Sequence, residues 1–218
     1  MSKKKEPFNY IISDDTIAGV DECATGTLIY DVFAACVVLP NEFPDDKYKL
    51  IKDSKKLSAK KRAELSDYIQ RVAITFGIGR ASHKEIDDTN ILIATMKAMN
   101  RAINEAYKKK PFTKLLVDGN KFNGYVPPGI DADILEHECV IKGDAKYLNI
   151  SAASIIAKHA HDTSMLQLIE ENPELEKYDL KKCQGYGTAR HIAAIKKYGI
   201  TEFHRKTFGP CKDSIYMV

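Results

Sequence analysis

A chain of 218 residues with 44% hydrophobic and 29% charged side chains has the composition of an ordinary globular protein, with enough apolar residues for a sizeable core. Its 33 basic and 30 acidic side chains leave a net charge of only +3, so any nucleic-acid face must come from clustering and not from the total. Five scattered cysteines without a Cys-x-x-Cys pair suggest neither a disulfide framework nor a zinc knuckle, and no apolar run approaches the roughly 18 residues of a membrane span.

The start, Met1 to Pro7, is charged and does not read as a signal peptide. With cysteines suited to a reducing compartment, a cytoplasmic protein with no membrane partner is expected. Residues 1–16 read as a basic N-terminal extension and 17–218 as a single domain with a helical C-terminal part. Lysines cluster at 3–5, 52–61, 108–114 and 181–182. Each cluster is either a solvated face or a phosphate-binding rim.

The first strand-like run, Ile17 to Glu22, ends in two adjacent carboxylates, Asp21 and Glu22. A second run, Leu28 to Leu39, follows so closely after Thr25-Gly26 that an antiparallel hairpin is expected. Ser58 reads as the N-cap of a helix reaching Ile69, and Ile74 to Ala81 as a third strand. Asn90 opens a helix with Ile91, Ala94, Thr95, Ala98, Ala102 and Ala106 on one face. The short apolar run Leu115 to Val117 stops at Asp118-Gly119-Asn120, a turn signal. Cys139 to Ile141 is another short strand. Ile150 to Glu170 reads as a long helix closed by Asn172-Pro173, and a last helix runs from Thr188 to Lys197. The expectation is an α/β fold in which helices flank a mixed central sheet, with antiparallel opening strands and then alternating helix and strand.

Acids recur where apolar elements stop. Asp118 repeats the pattern of Asp21: a buried strand that ends in a carboxylate, either as a turn residue or at the ligand-binding edge of an α/β sheet. Asp162 shares a helical stripe with Ile155, Leu166 and Ile169, read as core-facing. It is either paired with Lys158 one turn earlier or aimed into a site on the sheet. Asp21, Glu22, Asp118 and Asp162 together, with few histidines, suit hard ions such as Mg2+ or Mn2+ and not zinc. Two such ions can clamp the attacking and leaving oxygens of a phosphodiester.

The chain resembles the type 2 ribonucleases H, and within them the bacterial ribonuclease HII group. The matching segments occur in order over most of the sequence. They are Ala18-Gly19-Val20-Asp21-Glu22, Asp53-Ser54-Lys55-Lys56-Leu57-Ser58, Asn90-Ile91-Leu92, Val117-Asp118-Gly119-Asn120, Lys142-Gly143-Asp144-Ala145-Lys146, Ala152 to Lys158, Gly185-Tyr186-Gly187-Thr188 and His204-Arg205. The resemblance implies a ribonuclease H-like fold and a monomer that hydrolyses the RNA strand of RNA–DNA hybrids by two-metal-ion catalysis. In many members it extends to single ribonucleotides embedded in duplex DNA. It places the metal-binding, catalytic acids on Asp21, Glu22, Asp118 and Asp162, and the ribose-packing tyrosine on Tyr186. It assigns backbone contacts to Lys55, Lys56, Lys142 and Lys146.

The substrate-reading loop departs from the family pattern. Where ribonucleases HII have Gly-Arg-Gly, this chain has Ala24-Thr25-Gly26, and Thr25 matches the sister group, ribonuclease HIII. Thr27, Ile29, Tyr30 and Asp31 stand where small residues and a proline are usual, and Gln184 where many members have lysine. A rival reading is a catalytically weak nucleic-acid-binding protein that keeps the fold; four acids in place speak against it. Another is a resolvase or exonuclease of the same fold, against which the segments at 142–144 and 185–188 speak.

Overall fold

The computed structural model describes residues 16–52, 54–129 and 133–215. The basic extension up to residue 15 and Asp53 of the lysine-rich segment therefore lie outside the described residues.

The first strand, β1, spans Ile17–Cys23, and β2 spans Val32–Val38. They pair antiparallel, Asp21 opposite Ala35, as the hairpin reading requires. The connection is not a tight turn, however. Residues 24–31 leave the sheet, and Leu28 and Ile29 are buried against the C-terminal helices instead. Thr27 pairs with Tyr186 and Ile29 with His204 as isolated bridges. The apolar run from Leu28 to Leu39 is thus two elements: its first half is apolar because it enters a different core.

Ser58 caps α1 (Ala59–Val72), accepting from the Lys61 amide at 3.3 Å. The third strand, β3 (Thr75–Ala81), pairs antiparallel with β2. A short helix absent from the sequence reading, α2 (His83–Asp88), follows behind a complete capping box between Ser82 and Glu85. The Ser-x-x-Glu spacing was its available signal. The unusual Asp31 serves this helix: it is buried and accepts from the His83 amide at 2.9 Å. Asn90 caps α3 (Ile91–Lys109), accepting from the Ile93 amide at 3.0 Å.

Then come β4 (Lys114–Asp118), β5 (Glu136–Val140) and α4 (Leu148–Glu171). Among the described residues the strands form one sheet in the order β3-β2-β1-β4-β5, with β4 parallel to β1 and β5 parallel to β4. On one face, Ala34, Cys36 and Val38 pack with Ala94, Ala98 and Ala102 of α3. On the other, Ala35 and Val37 pack with α1 and α4. Alternation sends neighbouring side chains of β2 to opposite layers, so the whole strand is buried. The first ten residues of α4 are buried all round, because this helix lies between sheet and α1.

Three more helices complete the chain: α5 (Leu180–Cys183), α6 (Ala189–Tyr198, capped by Thr188) and α7 (Gly209–Lys212). With Leu28, Ile29 and the far end of α4 they make a third cluster. None of the helices among the described residues is long and apolar enough to cross a membrane.

Next to this cluster, His191 and His204 are fully buried. Burial pushes both imidazoles below their ordinary value of 6.5, His204 to about 3. Unfolded, they take up protons near pH 6.5; folded, His204 does not until far lower. The unfolded state therefore binds more protons across that window, and stability falls as pH drops below 6.5. The slope is about 1.4 kcal/mol per pH unit for each such histidine. Urea unfolding at pH 7.5 and pH 5 should show this loss, and His204→Gln should reduce the difference. Equal stability at both pH values would contradict neutral burial.

Candidate active site

Parallel strands bring their carboxyl ends to one edge of a sheet, and three do so here. The register sets Val20 beside Val117, so Asp21 and Glu22 emerge next to Asp118. Asp118 pairs with Val140, which delivers the turn after β5 to the same place. There the Gly143 amide donates to Asp118 Oδ1 at 2.6 Å, while the Glu22 amide donates to Asp21 Oδ1 at 2.8 Å. From α4, the Ser154 hydroxyl reaches Asp21 and lies 2.9 Å from Ser54 Oγ. Close approach of α4 to β1 depends on Gly19, where a Cβ would stand 2.3 Å from the main-chain carbon of Asn149.

Burial, then the charges of Glu22 and Asp118, raise the Asp21 carboxyl well above the usual range. Burial and Asp118 raise Glu22, with Lys55 partly opposing. These acids repel one another in a partly dry place, a condition that a bound cation reverses.

A cavity of about 130 Å³ opens over them. Asp21, Glu22, Asp118 and Asp144 line it; Asp162 does not. Asp162 instead receives Lys158 Nζ at 2.7 Å, stands 3.0 Å from His161 Nδ1, and receives Arg62 Nη1 at 3.4 Å. Burial pushes its carboxyl up, but the bonds from His161 and Lys158 outweigh burial and leave it below the usual range. Asp162 thus pairs with Lys158 and also stands beside the cavity, its charge acting on Cys23 and Tyr186, which line it. Leu166 is exposed while Ile155 and Ile169 are buried, so Asp162 sits at the edge of the apolar face. Asp144 lies in the turn after β5, inside the segment Lys142 to Lys146 that the family resemblance already matched.

Lys158 is a second residue that sequence reasoning did not place in the site. Held by Asp162, its ammonium lines the cavity and lies 5.4 Å from the Tyr186 ring centroid. Tyr186 is 38% exposed, enough for its face to meet a ligand. Burial first, then the charges of Cys23 and Asp162, push its phenol up to about 12, so it stays protonated. Ala24 and Thr25 line the same cavity, and the site where a Gly26 Cβ would stand is 4.0 Å from the Tyr186 ring. Ala24 does take the left-handed conformation expected of a glycine position, with φ of 71°. Lys55 lines the cavity; Lys56, Lys142 and Lys146 are exposed and do not. An adjoining groove of about 210 Å³ shares Glu22, Thr25 and Asp118 and continues along Ile91, Leu92 and Met96 of α3.

The donor set fits a hard divalent ion: carboxylate oxygens, with Asp21 deeply buried, beside a Cys23 thiol that burial pushes up to about 12 and so keeps protonated. As the side chains stand, no three His, Cys, Asp or Glu among the described residues already enclose a single ion position. The carboxylates would have to turn toward a shared ion.

The chain is similar to known proteins over most of its length. A family model described as ribonuclease HII matches residues 18–211. The ribonuclease HII of Christiangramia forsetii is 44% identical over 208 residues, covering 95% of this chain and 98% of that one. That of Pelagibacter ubique is 48% identical over 197 residues, covering 90% and 97%. Among solved structures, the ribonuclease H2 of Pyrococcus horikoshii superposes with a TM-score of 0.68 at 23% identity, covering 90% of this chain and 95% of that one. Bst ribonuclease HIII in complex with Mn2+ gives 0.68 at 15% identity, covering 93% and 70%. These two show that the fold is the ribonuclease H-like one. A family match spanning residues 18–211, relatives above 40% identity across nearly their whole length, and acids gathered at the strand ends agree: the chain belongs to the ribonuclease HII family.

Proposed function

We infer that this enzyme is a divalent-metal-dependent endonuclease that hydrolyses the RNA strand of RNA–DNA hybrids at the cavity over Asp21. The observation that supports it most is the gathering of Asp21, Glu22, Asp118 and Asp144 beside Tyr186 and two lysines in one cavity. Asp21, Glu22, Asp118 and Asp162 would hold the ions, with Asp144 lining the same cavity and residues 17–218 acting as one catalytic domain. Bound there, a pair of divalent ions supplies the charge that favours an attacking hydroxide and a leaving oxyanion. The protein's part is to hold and orient. Ser154 and the Glu22 amide fix Asp21, and the Gly143 amide fixes Asp118. Lys158 offers positive charge to a phosphate, and the Tyr186 face packs on a ribose. The unpaired cysteines fit work in the cytoplasm.

The exposed lysines at 55, 56, 142 and 146 are assigned to the nucleic-acid backbone, which positions a duplex without reading its sequence. Hybrid affinity should then fall linearly in log-log form with salt. Lys55→Ala with Lys56→Ala should flatten the slope by about one for each phosphate that is no longer neutralised. An unchanged slope would return both to a solvated surface.

The test of the function is cleavage of a labelled RNA–DNA hybrid beside a DNA duplex with one ribonucleotide, with Mg2+, with Mn2+ and with a chelator. Cleavage of the hybrid that the chelator abolishes is expected. The single ribonucleotide should be cut poorly, for two reasons. Ala24 takes the glycine-like conformation but carries a Cβ where a glycine would let the main chain approach the ribose closely. Thr25 lacks an arginine's charge-assisted phosphate bond, about 1.5–3 kcal/mol. A continuous RNA strand compensates with several 2′-hydroxyls and its duplex shape. Equal rates on both substrates would refute this reading of the loop, and no cleavage of the hybrid would refute the function.

A further inference from the structure

Arg205 is among the largest side chains that the fold buries completely, and its hydrogen bonds are unusual in kind. All go to main-chain carbonyls of the loop after β1. Nε donates to Tyr30 O at 2.8 Å, Nη1 to Thr25 O at 3.1 Å and Nη2 to Ala24 O at 2.9 Å. The Arg205 amide adds a bond to Leu28 O at 2.9 Å. A buried guanidinium is costly unless its donors are used, and here they are used on the backbone of the two residues that line the cavity. One of these is Ala24, with φ of 71°, a conformation an L-residue leaves readily unless held.

Its neighbour His204 reaches the other side of the cavity through a fixed relay. The Thr201 amide can only donate, and it lies 3.0 Å from His204 Nδ1, so that nitrogen accepts. In the neutral ring the proton is then on Nε2, which is 3.4 Å from His191 Nε2. His191 must accept there and carry its own proton on Nδ1, 3.0 Å from Tyr186 O, which can only accept. The two ends of the chain of bonds determine both tautomers. Burial keeps both rings neutral near pH 7. The bridges of Thr27 to Tyr186 and of Ile29 to His204 tie the same three segments along the backbone.

We propose that the dipeptide His204-Arg205 is a positioning element that sets the Ala24-Thr25 main chain against Tyr186, and so orients the ribose at the scissile bond without touching substrate. This rests on the reading of the cavity as catalytic. Orientation within a bound complex is felt in turnover, whereas affinity for the duplex is left to the exposed lysines.

The test uses the full chain and two kinds of readout. Nitrogen-15 NMR of the unsubstituted protein near pH 7 should show His191 protonated on Nδ1 and His204 on Nε2. The reverse tautomers, or a charged ring, would overturn the relay. In kinetics on the hybrid, at a temperature where the variant is folded, Arg205→Lys should lower kcat by about tenfold to a hundredfold. KM should change far less. Adding Ala24→Gly should recover part of that loss, because glycine adopts positive φ without the steric cost that alanine meets there. A normal kcat in folded Arg205→Lys, a defect lying wholly in KM, or no recovery would mean that Arg205 only packs. If Arg205→Lys does not fold, His191→Phe decides: it breaks the relay at Tyr186, and a normal kcat there overturns the proposal. Failure of the unsubstituted protein to cut the hybrid would sink the catalytic reading, while the tautomers would still report on the relay.

Discussion

Asp118→Asn is expected to lower kcat on an RNA–DNA hybrid by at least roughly 10²–10³-fold, with hybrid affinity little changed. The amide keeps the shape of the carboxylate and can still accept from Gly143, so what is lost is negative charge at a strand end. Asp162→Asn should behave alike, because it belongs to the proposed ligand set and also holds Lys158 at 2.7 Å. Asp144→Asn should cost less, since Asp144 lines the cavity outside that set. The order of the three activities, measured in one assay with Mg2+ or Mn2+, tests the assignment of the fourth acid. An Asp144→Asn enzyme as dead as Asp118→Asn, beside an active Asp162→Asn, would move the fourth ligand to Asp144. In Asp21→Asn, activity should be lost while the metal-free protein melts no lower than the parent. Burial beside Glu22 and Asp118 already disfavours the charge that this substitution removes.

Gly19→Ala should destabilise the fold by about 3 kcal/mol, since it forces a methyl group into backbone and not into a yielding side chain. The added Cβ would meet Asn149 C at 2.3 Å and Ile150 N at 2.4 Å. Either β1 or the start of α4 must move by more than an ångström to restore ordinary contact. For a chain of this size that corresponds to a fall in thermal midpoint of roughly 6–12 °C. The displacement also moves Ser154 and Lys158 relative to Asp21, so activity should fall in the fraction that stays folded. A midpoint within a degree or two of the parent would show that α4 can slide freely on β1.

The helix starts were legible because their signals are local. Ser58, Asn90 and Thr188 each accept from an amide three residues on, which depends only on the neighbouring sequence. The capping box at Ser82 is equally local, though the helix it opens is only six residues long. The strand ends at Asp21 and Asp118 were legible for the same reason: apolar runs stop there in acids. Local pattern failed where one apolar run serves two cores. Leu28 and Ile29 look continuous with β2, yet they pack on α4 and the C-terminal helices.

By itself, then, the sequence determined the α/β class, the element starts and the family, and it marked Asp21, Glu22, Asp118 and Asp162 as the candidate acids. Each of these is written in nearest neighbours or in motif order. Tertiary structure decided what depends on which elements meet. Parallel register brought Asp144 to Asp118 and left Asp162 to Lys158, Arg62 and His161. Helical periodicity says which residues share a stripe, but not where the stripe's edge falls against a neighbouring helix. The burial of Arg205 under Ala24 and Thr25 spans about 180 residues of chain, so it was invisible until the fold closed. Contacts at that separation are selected by packing of whole elements, and no local pattern encodes them.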